Sequence, residues 1–96
     1  MILSEVLEDL EAGRDFYNDQ EEGVGEHFVT SLLDDIQSLS LLHGTHRIQY
    51  GCLRMLAGRF PFGIYYLDME NETRVVAVLD LRRKPSWIRK KVTGRV

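Results

Sequence analysis

With a single cysteine, Cys52, in 96 residues, the chain can form no internal disulfide, which excludes the cross-linked scaffold of a small secreted protein. No apolar stretch approaches the roughly eighteen residues needed to cross a bilayer, and the first thirty residues do not read as a signal peptide. A reducing cytoplasm and no membrane partner are therefore expected. Low-complexity tracts, internal repeats and linkers are missing as well, so the reading is one domain over residues 1–96. Motifs that carry familiar chemistry are equally scarce. There is no second cysteine or His-x-x-x-His spacing for a metal, no glycine-rich phosphate loop and no Gly-x-Ser-x-Gly elbow, and no metal or cofactor is expected. His43 and His46 flank Gly44-Thr45 with no nucleophile in view, and His27 falls on the polar side of a helical stretch.

Size sets a further bound. A chain this short buries about 60 to 70% of its unfolded surface, which allows one small core and no deep catalytic cavity. Function should lie on a surface or in a shallow groove. The net charge is only −3, but it is unevenly spread. Residues 1–48 hold eleven acids against Arg14 and Arg47, a balance of −9, while residues 49–96 hold ten bases against four acids, a balance of +6. Six of those bases, Arg82, Arg83, Lys84, Arg89, Lys90 and Lys91, crowd into ten positions. Such a pole suits phosphate or an acidic protein.

Periodicity divides the chain in two. Met1-Ile2-Leu3 reads as the stub of a strand, and Ser4 is placed to cap a helix with Glu5, Glu8 and Asp9 near its positive end. Leu3, Val6, Leu7, Leu10 and Tyr17 recur at helical spacing over residues 4–19. Gly13 either weakens that helix or marks a close contact with the next one. Gly23-Val24-Gly25 is a break, after which Phe28, Leu32, Ile36 and Leu39 define a second helix ending at Gly44. From Tyr50 the period changes to two. Leu53, Met55 and Ala57 alternate with Cys52, Arg54 and Leu56, so one set should face the helices and the other an open face. Pro61 marks a bend. Phe62–Leu67 and Arg74–Leu81 form a hairpin around Glu70-Asn71-Glu72, Tyr65 and Tyr66 point to opposite faces, and Pro85 stops the last strand ahead of a short tail from Ser86-Trp87-Ile88, open to a helical reading. The expected fold is α+β, a helical hairpin packed on one face of a small antiparallel sheet.

The order of Asp9-Leu10, Phe16-Tyr17, the Phe28–Leu39 helix, the run Leu53 to Tyr66 through Phe60-Pro61-Phe62, and Val75 to Ile88 with its cationic end resembles the RelE/ParE family of toxins from toxin-antitoxin pairs. The resemblance spans nearly the whole chain. It implies an N-terminal helical hairpin on an antiparallel sheet whose first strand is here cut down to Met1–Leu3. It implies a toxin that stabilises plasmids, held inactive by a cognate antitoxin, in a toxin-antitoxin hetero-oligomer.

Two activities follow from the family. In its ribosome-dependent mRNA endoribonuclease branch, cations stabilise charge on the scissile phosphate and another group activates the ribose 2′-hydroxyl. By resemblance Arg54 matches the basic residue of the second strand, Arg82 or Arg83 the arginine after the last strand, and Trp87 the aromatic near the C-terminus. The strand-borne arginine ahead of Ile64-Tyr65-Tyr66 is absent, because Gly63 or Phe62 stands there, and Arg59 could reach that space only from the bend. Tryptophan cannot replace an acid or base. The reading therefore favours the ParE-like side, whose members inhibit DNA gyrase without cutting RNA. The candidate antitoxin- or target-binding residues are Arg54, Arg59, Arg82, Arg83, Lys84 and Trp87. Trp87 is either an anchor for the tail or an exposed hot spot.

Overall fold

The computed structural model describes all of residues 1–96, in the order α1 (Ser4–Gln20), α2 (Val24–Leu42), β1 (Arg47–Gln49), β2 (Cys52–Leu56), β3 (Phe62–Met69), β4 (Glu72–Asp80) and α3 (Pro85–Arg95). The four strands form one antiparallel sheet in the order β1-β2-β3-β4. The fold is thus α+β, with a helical hairpin on one sheet face.

Helix α1 starts where the acids begin, but Ser4 does not cap it. Leu3 occupies the cap position without a side-chain bond, and the Ser4 hydroxyl turns to Glu5. Leu3 sits there because its own N–H is committed to the Val75 carbonyl, just as the Val75 N–H is committed to Met1. This parallel bridge at Ile2 borders β4. The turn into α2 uses Gly23 in the left-handed region (φ 92°), where glycine carries no steric cost. A β-carbon on Gly13 would lie 2.4 Å from the Phe28 ring, so glycine here lets the two helices approach. After α2, Gly44 adopts φ 82°, the left-handed turn that commonly ends a helix.

The two sheet faces carry different partners. Met55, Ile64, Tyr66, Val75 and Val78 pack against Val6, Leu10, Phe28, Leu32 and Leu39 of the hairpin. Cys52, Tyr65, Ala77 and Leu79 lie on the reverse face. That face is not open as the sequence led us to expect, because the tail is an eleven-residue helix whose Ile88 and Val92 are buried against it. Tyr65 and Tyr66 are consequently both buried, one on each side. The register shifts between them and leaves Val76 without a cross-strand partner. The bulge puts Val76 in the same cluster as Ala77, on the α3 side, where strict alternation would have sent it to the hairpin.

Strand β1 was not anticipated. It precedes the change of period read at Tyr50, and it is joined to β2 by a two-residue turn at Tyr50-Gly51, both with positive φ (56° and 82°). Turns of that kind match the twist of a hairpin.

Candidate partner-binding site

The cations of residues 82–84 arise where β4 ends and α3 begins, and the structure separates their roles. Asp80, the last residue of β4, accepts two bonds from Arg82, at 3.0 Å from Nε and 2.8 Å from Nη2. Arg82 Nη2 also reaches the Tyr17 hydroxyl at 3.4 Å, and its guanidinium stands 5.8 Å from the Phe16 ring centre. The Arg82 guanidinium holds the Asp80 carboxyl below the usual carboxylate range against the opposing effect of burial. Asp80 in turn holds the Arg82 guanidinium more firmly charged. Arg82 is therefore a tie between strand and helical hairpin, and only Arg83 and Lys84 remain as the cations of the triplet without a carboxylate partner.

Arg83 stacks on Trp87, its guanidinium carbon 3.9 Å from the ring centre, and Lys91 Nζ lies 5.5 Å from the same ring. Residues 83, 87 and 91 are four apart, which brings the three side chains together along α3 and its lead-in. Neither cation has a carboxylate within 4.0 Å. Pro85 at the start of α3 suits a position where no N–H is needed. Trp87 is half-buried, so it is both an anchor at the edge of the reverse-face cluster and a wall of the surface.

Between α1 and α3 this surface deepens into a groove of about 460 Å³, with Phe62, Val78 and Leu79 in its floor and Phe16, Trp87 and Lys91 on its sides. Phe16 is 45% exposed. Asp9 and Arg95 form a near-buried ion pair across one end, at 2.6 and 2.9 Å. Asp9 also accepts the Val78 N–H, and Arg95 donates to the Val76 carbonyl. These bonds close the outer edge of β4. With Asp9 and Asp80 each neutralised by an arginine, Glu8 is the one unpaired acid among the lining residues, against Arg83 and Lys91. The groove is therefore apolar in its floor and positive on balance.

The other two candidates lie elsewhere. Arg54 is on the reverse face, opposite Tyr65 and Arg47 in register, and its buried Nε has no hydrogen-bond partner. Its side chain leans over Gly63, where a β-carbon would stand 3.4 Å from Arg54 Cδ, 3.1 Å from the Tyr65 ring and 2.9 Å from Leu81. The space beside Gly63 is thus packed shut. Burial pushes the Tyr65 phenol up, outweighing the opposite pull of Arg54, and leaves it protonated at neutral pH. Arg59 does not substitute for the missing arginine. It stands beside α2, in a polar recess with His27, Thr30, Asp34 and Asp35.

Comparison of the chain with family models, with curated proteins and with solved structures finds no match. No helix is long and apolar enough to cross a membrane. Of the candidates read from sequence, Arg83 and Trp87 line the groove together, whereas Arg82, Lys84, Arg54 and Arg59 are not among its lining residues. Sequence reasoning missed Lys91, Phe16 and the Asp9–Arg95 pair as parts of this site. The four-residue steps from Arg83 through Trp87 and Lys91 to Arg95 were the available signal, hidden because the tail was not read as a full helix.

Proposed function

We propose that the chain is the toxin of a toxin-antitoxin pair of the RelE/ParE kind, neutralised by a cognate antitoxin and acting by binding a protein, with DNA gyrase the target that the resemblance points to. The observation that carries protein binding is the groove between α1 and α3. It offers an apolar floor, two rings and unpaired cations on a shallow surface, a combination suited to an acidic segment with apolar side chains. Nuclease activity is disfavoured on chemical grounds. Gly63 supplies no cation, Arg59 points to α2, and the phenol beside Arg54 is buried and held protonated. Loss of one charge-stabilising donor typically costs about 10² to 10³ in rate, so several losses leave little catalysis.

One feature favours the second reading, an mRNA endoribonuclease acting in the ribosome: Arg54 keeps an unpartnered Nε on the sheet. Purified chain added to programmed ribosomes should leave the mRNA at full length. Codon-positioned cuts that vanish in Arg54→Ala would replace the proposed function with the nuclease. A chain that neither slows growth nor gains a partner would be a decayed member kept as an interaction module.

A further inference from the structure

The sheet treats its two edges differently. The β4 edge is closed by the Ile2 bridge, by Asp9 on the Val78 N–H and by Arg95 on the Val76 carbonyl. The β1 edge has no strand beside it. The pair flanking a two-residue hairpin turn, here Gln49 and Cys52, is the hydrogen-bonded one, so the next residue out, Ile48, directs its N–H and C=O away from β2. Ile48 is also 73% exposed, and Leu41, at the end of α2 that leads into this strand, is 87% exposed.

Charge on this edge is unbalanced. Arg47 stands directly opposite Arg54, where like charges are unfavourable, and no carboxylate lies within 4.0 Å of either. Arg47 and Ile48 point to opposite faces of the strand. A strand laid beside β1 would thus place its own alternate side chains next to Arg47 on one face and next to Ile48 on the other. A second copy of the chain would bring a second arginine pair to the same edge, which disfavours self-pairing. An acidic segment relieves the repulsion.

We infer that the β1 edge takes up an extended segment of the protein partner as a fifth strand, with carboxylates in line with Arg47 and apolar side chains in line with Ile48. This rests on the reading of the chain as one half of a protein pair. It adds a second contact surface, away from the groove between α1 and α3, and makes Arg47 the residue that selects for acid.

The probe is the blocked peptide acetyl-Glu-Val-Glu-Val-Glu-Val-Glu-amide, titrated into the isotope-labelled chain and followed by amide NMR. The expected result is a set of shifts centred on Arg47, Ile48 and Gln49, slowed exchange of the Ile48 amide, and binding about tenfold or more tighter than that of the peptide with Lys in place of Glu. Arg47→Glu should fold at least as well as the parent, since it replaces a like-charge pair by an opposite one, and should lose the tenfold preference. Equal binding of the two peptides, shifts confined to α3, no shift up to the solubility limit, or an unaltered preference in Arg47→Glu would each overturn the inference. The two claims fail separately. Peptide addition at β1 by a chain that is harmless in cells defeats the toxin reading alone, and an antitoxin that neutralises the chain with a footprint avoiding residues 47–49 defeats strand addition alone.

Discussion

Arg82 Nη2 lies 2.8 Å from Asp80, while Arg83, next in the chain, lies over Trp87 with no acid beside it. Replacement of the two should therefore separate stability from binding. Arg83→Ala is expected to leave the melting temperature nearly unchanged, within about 0.5 kcal/mol, and to weaken capture of the partner. Arg82→Ala should cost about 0.5 to 1 kcal/mol, the upper end for a pair of which the arginine is 55% exposed. It should also alter the pH dependence. The Asp80 carboxyl is lowered from 3.8 mainly by its bond to Arg82. A lowered carboxylate stabilises the fold above its ordinary value and loses that contribution as pH falls through the lowered one. Thermal unfolding of Arg82→Ala should thus show a flatter acid limb below about pH 4 than the parent. The crowding of cations was plain in the sequence. That one of them is consumed by Asp80 two residues earlier was not, because the pairing depends on the backbone turning at the end of β4, where the Arg82 N–H also bonds Asp80.

Helix α3 is the element whose docking fixes the groove. Ile88 and Val92 anchor it, and the Asp9–Arg95 pair, with side chains 10% and 12% exposed, ties its last turn to α1 and β4. Asp9→Ala would leave Arg95 with its charge near-buried and the Val78 N–H without its acceptor. The expected loss is about 3 to 5 kcal/mol by denaturant unfolding, with amide exchange in α3 rising first. Exchange rising in α2 before α3 would show that the clasp does not hold α3. The helical hairpin and the β3–β4 hairpin were legible because each repeats its apolar period over many residues. Helix α3 was legible only as a short tail open to a helical reading, since two apolar residues in a basic stretch make a weak stripe. Strand β1 has three residues and no apolar alternation, and its hairpin is set by Tyr50 and Gly51 in a left-handed turn, a geometry that Tyr50 does not advertise.

Over the whole molecule, acids gather on α1 and α2 and bases on α3 and the lead into it, so the electrical polarity read from sequence becomes a polarity of surfaces. The two surfaces proposed for a partner lie at the basic pole and at the β1 edge, whereas Arg59 stands beside α2 and Arg95 is paired with Asp9. The expected α+β fold, a helical hairpin on an antiparallel sheet, is the fold found. Gly63 was plain in the sequence, but the closure of the space beside it by Leu81 and Tyr65 needed coordinates. The most direct test of the central claim is colony formation after induced expression, with and without the reading frame adjacent to the gene. Loss of colonies from the chain alone and full recovery when the neighbour is co-expressed are expected; equal colony numbers in both, with the chain present at normal levels, would show that it is no toxin.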